Sequence, residues 1–434
     1  MAFMKSAILV CVTAVLTVYL PQLWTKTRPI ITAGTVQPGF EPVAKLFRKN
    51  FENGVEYPSG GSAFSVYYKG SKVVDIWGGY ADSEAGRPWK EDTISTFFST
   101  TKGMAALCIA ILVDRGLLDY DKTVASYWPE FAQNGKEKVT LRMLVNHQAG
   151  LSYTSEKVTL ELMEDQDALG ELLARSPPAW EPGTAHGYHA ITFGLYLSQV
   201  VRRADPKHRT LGQFFKQEIA EPFGIDFFIG LPLESFHRNA RLMGNANSVL
   251  LSLLRGLSSP LNRQLMLAMA TGKSDMSKIL EVGWETVDGS VLMRPETLAL
   301  EQPSAYGVGT ARAIATVYGI LANGGRTKEG KKLLSDNIIK KIISEAQIDG
   351  SIDRTLGLPT VNNLGFLIDE YEGSAQFGHP GSGGMQGRAD PQKKIGLSYL
   401  SSYNSEFGFG DDPRFTSLQA ATHKCIEELE AKRP

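Results

Sequence analysis

The spacing of hydrophobic residues predicts strands near both ends of the chain and helices between them. Two apolar runs, 64–69 and 72–80, flank Gly70 and Ser71 and predict a β-hairpin with a two-residue turn. Three further β-type runs follow late in the chain, at 364–371, 374–379 and 395–403. Between residues 119 and 313 the apolar spacing is mostly helical, which predicts a largely helical region with long loops.

Two helices are indicated with defined ends. One runs from about Ser99 to Arg115 and stops at Gly116, and the other is an amphipathic helix over 415–432. Strands at both ends of the chain imply one sheet completed by the N- and C-terminal segments, with a helical lobe inserted between them. We therefore expect an α+β domain over 39–434, with a sheet lobe at about 39–95 and 325–434 and a helical lobe at about 96–324.

The N-terminus carries an unbroken apolar run over residues 6–20, and no acidic residue precedes Glu41. The run is short for a membrane span of about 20 residues and lacks a small-x-small cleavage site, so it predicts a signal-anchor or an uncleaved signal. Residues 1–38 are accordingly assigned to an anchor and linker of a membrane-anchored or secretory protein. The acid-free, hydroxyl-containing start leaves a mitochondrial presequence as the alternative.

Composition and charge narrow the class of partner. Hydrophobic residues make up 43% of the 434 residues and charged residues 21%, which is ordinary for a globular protein. The formal net charge is -1, so no global field recruits nucleic acid, and a small-molecule or peptide substrate fits better. The sequence assigns no oligomeric state.

Three cysteines, Cys11, Cys108 and Cys425, are too few for a disulfide framework. A bridge between Cys108 and Cys425 is one alternative, and two isolated, buried thiols are the interpretation that we favour.

Ser99 and Lys102 form a Ser-x-x-Lys pair at the start of an apolar run, and the chain contains no second such pair. Residues three apart lie on one face of a helix, so the hydroxyl and the amine can meet near the helix N-terminus. Partial desolvation and the helix dipole both favour the neutral amine, which can take a proton from serine. The alternative is an N-cap serine followed by a surface lysine.

Tyr188 stands in a loop just before a helix that begins near Ile191. A tyrosine there could relay a proton if a neighbouring cation lowered its pKa, and the alternative is a packed loop tyrosine. His186 and His189 have the spacing of metal ligands, but no second ligand pair occurs elsewhere, so we do not expect zinc.

The segment 377–384 ends a β-type run and contains His379, Gly381 and Ser382. Its glycines would let a ligand approach the strand closely, and exposed edge amides could bind a developing oxyanion. A plain tight turn is the alternative.

In this order, Ser99 and Lys102, then Tyr188, then His379-Pro380-Gly381 resemble the serine β-lactamase and penicillin-binding protein superfamily. The chain is most similar to the class C β-lactamase branch with its related esterases and eukaryotic β-lactamase-domain-containing proteins. The resemblance implies a β-lactamase/transpeptidase-like fold: an antiparallel sheet flanked by N- and C-terminal helices, with an inserted, mainly helical lobe. It also implies that no cofactor is needed.

By the same resemblance, Ser99 is the acylated nucleophile, Lys102 is the base or its electrostatic support, and Tyr188 relays the proton. The backbone amides of Ser99 and Ser382 would form the oxyanion hole. His379 stands where the family usually has the lysine of Lys-Thr-Gly, and Gly381 is the glycine of that motif.

Two departures from the family pattern bear on the substrate. Tyr188-His189-Ala190 lacks the asparagine or serine that the family usually has at the third position, and His379 removes a permanent cation unless the imidazole is protonated. Both favour an esterase or peptidase over antibiotic hydrolysis. The alternatives are a catalytically silent, self-assembling scaffold and a true β-lactamase or D-alanyl peptidase.

Overall fold

The structure is a computed structural model and describes residues 28–243, 257, 259–283, 291–346, 350–407 and 410–432. The predicted signal-anchor at residues 6–20 lies outside these ranges. Among the described residues, no helix combines the length and the apolar character that crossing a membrane requires.

The strands of the described residues are β1 (Thr32–Val36), β2 (Gly61–Tyr68), β3 (Ser71–Asp82), β4 (Arg87–Pro88), β5 (Ser95–Thr96), β6 (Phe227–Ile229), β7 (Gly307–Gly309), β8 (Asn362–Asn363), β9 (Phe366–Tyr371), β10 (Ser374–Gly381), β11 (Met385–Asp390) and β12 (Ile395–Ser401). Nine of them form one antiparallel sheet in the order β1-β3-β2-β12-β11-β10-β9-β8, with β4 beside β3. A small sheet has the order β5-β7-β6.

The α-helices are α1 (Glu41–Glu52), α2 (Thr101–Asp114), α3 (Leu141–Val145), α4 (Leu160–Glu164), α5 (Gln166–Arg175), α6 (Thr192–Ala204), α7 (Leu211–Phe215), α8 (Glu221–Phe223), α9 (Pro260–Ala270), α10 (Met276–Gly283), α11 (Pro295–Ala299), α12 (Ala311–Ala322), α13 (Asp336–Ser344) and α14 (Pro413–Ala431). Single turns of 3₁₀ helix lie at Phe98–Thr100, Val124–Ser126, Pro129–Phe131 and Val291–Met293, and a longer one at Leu233–Arg238. A π-helical turn lies at Lys216–Ala220.

The predicted hairpin and terminal helix are confirmed, with small shifts of their ends. The hairpin turn is Lys69-Gly70, one residue earlier than predicted, since Tyr68 pairs with Ser71. Both turn residues have positive φ angles, 49° and 75°, as a tight two-residue hairpin turn requires. The predicted linker extends too far, since Thr32–Val36 pair with β3 as an edge strand. Strand β11 was not predicted, because Gln386, Arg388 and Asp390 break the apolar pattern although all three are buried.

The outer face of the sheet is covered by α1 and α14. Alternate residues of β2 and β12, such as Phe64 and Leu397, point to this side and pack with Phe47 and Leu418 of the two helices. The predicted arrangement of terminal helices on an antiparallel sheet is confirmed.

On the inner face of the sheet, α12 packs on β2, β11 and β12, and α2 contacts β9 and β10 in the main core. A Cβ on Gly396 of β12 would lie 2.0 Å from the backbone nitrogen of Gly319 in α12, so the two backbones are nearly in contact. Helix α12 falls within the predicted helical lobe yet packs directly on the sheet, so the division into two lobes stays a prediction. Every residue of α2 from Thr101 to Leu112 is buried, so the helix that follows Ser99 is held in place by packing on all sides.

The two described cysteines are buried and unpaired, as we favoured. Cys108 lies in the main core and Cys425 in the core between the sheet and the outer helices.

Candidate active site

Ser99 lies in the 3₁₀ turn Phe98–Thr100 that leads into α2. The helix predicted to begin at Ser99 therefore begins as a tighter turn and becomes α-helical at Thr101. Phe98 has a φ of 47°, a left-handed conformation that is costly for an aromatic residue and that persists only when the surroundings hold it. Thr101 supplies part of that support, since its Oγ1 donates to the Phe98 carbonyl at 2.6 Å and accepts the Gly307 N–H at 3.0 Å.

Lys102 is fully buried, and its Nζ lies 3.2 Å from Ser99 Oγ. The same Nζ donates to the carbonyls of Ala190 at 2.7 Å and Ser304 at 2.9 Å. Burial lowers the pKa of Lys102 well below its usual value of 10.5. A neutral amine has two N–H donors, which the two carbonyls accept, so its lone pair is left for the Ser99 hydroxyl.

Tyr188 approaches Ser99 from the other side. Its hydroxyl donates to Ser99 Oγ at 2.7 Å, and Lys102 Nζ lies 4.7 Å from its ring centre. Burial raises the pKa of Tyr188, so the lowering by a neighbouring cation, on which the relay role was made conditional, does not occur. Tyr188 is thus a neutral phenol that can pass a proton along but does not hold a negative charge at rest.

The backbone of Tyr188 is held by Asp353, a residue that the sequence analysis missed. One carboxylate oxygen of Asp353 accepts the N–H groups of Tyr188 at 3.0 Å, Thr355 at 2.8 Å and Leu356 at 2.9 Å. His147 supports the same loop, because its carbonyl accepts the Gly187 N–H at 3.0 Å. Because these hydrogen bonds come from backbone amides, no sequence motif predicts them.

The two residues after Tyr188 are His189 and Ala190, and Ala190 occupies the position where the family usually has asparagine or serine. His189 points into the core, where its Nδ1–H donates to the Gly187 carbonyl at 2.6 Å and its Nε2 accepts the Leu151 N–H at 2.9 Å. Burial lowers the pKa of His189 to about 4, so it is neutral. Ala190 contributes its carbonyl to Lys102, which is a contact that any residue could make. The described residues contain no cluster of histidine, cysteine and acidic side chains suited to a metal ion.

His379 is buried on β10, with its ring centre 5.8 Å from that of Tyr188. Its Nδ1–H donates to the Pro380 carbonyl at 2.6 Å, and within the described ranges its buried Nε2 has no hydrogen-bond partner. Burial, and secondarily the nearby Lys102, lower the pKa of His379 to about 3. The imidazole is therefore neutral and does not replace the cation that the family usually has at this position.

The end of β10 lies directly against the turn that carries Ser99. A Cβ on Gly381 would lie 2.3 Å from the Phe97 carbonyl, so only glycine allows this approach. Ser382 follows at the surface, and its hydroxyl donates to Asn404 at 3.4 Å. The structure thus brings Ser99, Lys102, Tyr188 and His379 together with the strand end at Gly381, and the oxyanion role of the Ser99 and Ser382 amides stays a prediction.

Comparison with known proteins agrees with this arrangement. The family model described as beta-lactamase matches residues 47–421. The esterase/beta-lactamase LipL of Mycobacterium tuberculosis is 34% identical over 377 residues, which cover 85% of this chain and 82% of LipL.

Two solved structures share the fold over nearly the whole chain. A family VIII carboxylesterase superposes with a TM-score of 0.78 at 34% identity and covers 91% of this chain and 100% of its own. A penicillin-binding protein homologue from Caulobacter crescentus superposes with a TM-score of 0.75 at 33% identity, again over 91% and 100% of the two chains.

Proposed function

This chain belongs to the beta-lactamase family and is a serine hydrolase, and on that premise we propose that it cleaves carboxylic esters through an acyl-enzyme on Ser99. The observation that carries the proposal is the position of Ser99 Oγ, 2.7 Å from Tyr188 Oη and 3.2 Å from Lys102 Nζ. A serine hydroxyl needs such a base nearby to become a nucleophile at neutral pH.

In the proposed acylation step, the neutral Lys102 amine accepts the Ser99 proton, directly or through the Tyr188 hydroxyl. Ser99 Oγ bonds to the ester carbonyl carbon, and negative charge collects on the carbonyl oxygen, where the amides of Ser99 and Ser382 would stabilise it. The bond to the alkoxy group then breaks as the proton held by Lys102 passes to the departing oxygen. Water enters in place of the alcohol and releases the acid by the same proton path.

An ester without a negative charge is the substrate class that the surroundings favour. The neutral His379 offers no cation for a substrate carboxylate, and the side chain of Ala190 offers no hydrogen bond to a substrate amide. LipL is named an esterase/beta-lactamase and the solved structure a carboxylesterase, so esters are the substrate class that the two names share, which supports that class for this chain.

A panel of short-chain p-nitrophenyl esters, matched anilides and a chromogenic cephalosporin tests the proposal. We expect wild type to release p-nitrophenol from the esters, Ser99→Ala to release none, and the cephalosporin to be cleaved far more slowly than the esters. Ser382→Ala is a suitable control, because it changes an exposed hydroxyl and keeps the backbone amide. Preference for the cephalosporin, or equal turnover by Ser99→Ala, would exclude this function.

A further inference from the structure

Arg414 and Asp412 form a buried ion pair at the start of α14, with side chains 3% and 1% exposed. The Asp412 carboxylate accepts Arg414 Nε at 3.0 Å and Nη2 at 2.6 Å. Ser405 Oγ also donates a hydrogen bond to this carboxylate at 2.7 Å. Two desolvated charges are held here with nearly all of their hydrogen-bonding capacity satisfied, which is the condition under which a buried pair becomes rigid.

This pair contacts the turn that carries Ser382. Arg414 Nη2 donates to the Gly383 carbonyl at 2.6 Å. A Cβ on Gly384 would lie 2.1 Å from an Asp412 carboxylate oxygen and 2.8 Å from Arg414 Nη2, so the ion pair occupies the space beside this residue. Gly383 and Gly384 also have positive φ angles, 77° and 90°, which residues with a Cβ rarely adopt. Glycine at both positions therefore allows this turn conformation.

The opposite side of the same turn rests on the nucleophile segment. Gly381 lies against the Phe97 carbonyl, where a Cβ would come within 2.3 Å, and also against Thr100 Oγ1. The Ser382 amide is therefore bounded by the segment around Ser99 on one side and by the ion pair on the other. A shift of the Gly383 carbonyl would move that amide relative to Ser99.

We infer that Arg414, locked by Asp412, is a positioning residue that sets the Ser382 amide at the distance from Ser99 that an oxyanion requires. This inference rests on the proposed acyl transfer at Ser99 and assigns a catalytic consequence to the C-terminal helix. The guanidinium holds the turn from outside the site, since its contact is to the Gly383 carbonyl and not to a substrate.

A purely structural role is the rival explanation, because Asp412 also caps α14 by accepting the Arg414 N–H at 2.9 Å. A structural role would lower stability alone, whereas a positioning role lowers transition-state binding while ground-state binding is kept. Arg388 provides the matched control. It is a similarly buried arginine, on β11 next to the strand that ends at Gly381, but its ion pair goes to Asp369 at 2.9 Å and not to the turn.

The experiment compares Arg414→Lys with Arg388→Lys in the full chain. A lysine keeps the charge but loses the planar fork that reaches Asp412 and Gly383 together. We expect Arg414→Lys to lower kcat for a p-nitrophenyl ester about tenfold and to weaken inhibition by phenylboronic acid, which forms a tetrahedral adduct on serine, by a similar factor. KM should change less than about twofold, and Arg388→Lys should leave kcat and inhibition near wild type.

A second readout does not depend on ester turnover. The rate at which a fluorophosphonate labels Ser99 should fall in Arg414→Lys and stay unchanged in Arg388→Lys. If wild type hydrolyses no ester but labelling still shows this difference, the proposed function fails and the positioning role stands. Equal effects of the two variants on kcat, boronic acid inhibition and labelling would overturn the positioning role, as would a wild type that is neither labelled nor active.

Ser405→Ala serves if Arg414→Lys does not fold, because it removes one hydrogen bond from Asp412 and keeps the ion pair. We expect kcat to fall about threefold at unchanged KM, a smaller loss because the guanidinium stays in place. An unchanged kcat in a folded Ser405→Ala protein, whose melting temperature drops, would assign the network to stability alone.

Discussion

At the scale of single residues, the chemistry of Lys102 follows from what surrounds its amine. Two backbone carbonyls and the Ser99 hydroxyl are its polar neighbours, and burial alone accounts for the lowering of its pKa. Backbone carbonyls accept hydrogen bonds but bring no full negative charge, so they favour the protonated amine far less than a carboxylate would. The proposed mechanism would thereby obtain a neutral base from a residue that is normally a cation.

The pH dependence of kcat/KM tests this state of Lys102. The protonated amine is inactive as a base, so kcat/KM should rise with pH through the lowered pKa of Lys102 and level off well below pH 10.5. Lys102→Arg carries a permanent charge and should lower kcat/KM by about 10³-fold at neutral pH. A rising limb centred near pH 10.5, or an active Lys102→Arg protein, would contradict the base role.

His379 gives a prediction about substrate charge. Because its pKa is lowered to about 3, the imidazole stays neutral from pH 5 to pH 9. The ratio of kcat/KM for a neutral ester to that for its carboxylate-bearing analogue should therefore not vary across this range. The imidazole would be acting as a cation if kcat/KM for the anionic ester rose steeply relative to that for the neutral ester between pH 7 and pH 5, and if His379→Gln abolished this rise.

At the scale of elements, apolar spacing was enough to predict the hairpin β2-β3, the helix α2 and the terminal helix α14. The strands β1 and β11 could not be predicted in this way. Strand β1 is an edge strand, largely exposed, with little apolar alternation, and β11 carries polar residues that only tertiary partners satisfy. Hydrogen bonding to a neighbouring strand therefore decided both elements, and hydrophobic patterning did not.

The packing of α12 on β12 gives a prediction about stability. An alanine at Gly396 would place its Cβ 2.0 Å from the Gly319 nitrogen, so helix and strand would have to separate. Such overpacking typically costs about 1–3 kcal/mol, and we expect Gly396→Ala to lower the free energy of unfolding by at least about 2 kcal/mol. Gly60→Ala is the control for urea denaturation, because a Cβ there lies no closer than 3.3 Å to its neighbours. Equal losses of unfolding free energy in the two variants would show that the close contact between the backbones of α12 and β12 is not what makes Gly396 necessary.

At the scale of the whole molecule, the site is assembled from segments far apart in the chain. Ser99, Lys102, Tyr188 and His379 could be nominated from the sequence because their side chains have recognisable chemistry. Asp353 and Arg414 could not, since their side chains bind backbone amides and carbonyls whose positions only the fold defines. Nor could Ser304, whose contribution to Lys102 is its own backbone carbonyl. Sequence therefore reveals the candidate reacting groups more readily than the residues that position them.

The burial of Cys108 and Cys425 in two separate cores gives a prediction about the reactivity of their thiols. Burial raises the pKa of both Cys108 and Cys425, which makes the reactive thiolate scarce as well as inaccessible. We expect iodoacetamide at pH 8 to leave both cysteines unmodified in native protein and to modify both in urea, as read by peptide mass spectrometry. Rapid native labelling of Cys425 would mean that α14 opens away from the sheet.

The most direct test of the proposed chemistry is to trap the acyl group on the enzyme. Wild-type protein is mixed with excess p-nitrophenyl acetate, quenched in acid within milliseconds to seconds, and digested for peptide mass spectrometry. We expect an acetyl group on Ser99, formed at the same rate as the initial release of p-nitrophenol, and none at Ser99 in Lys102→Arg under the same conditions. Ester hydrolysis that proceeds with Ser99 unmodified, or with the acetyl group on another residue, would contradict an acyl-enzyme at Ser99.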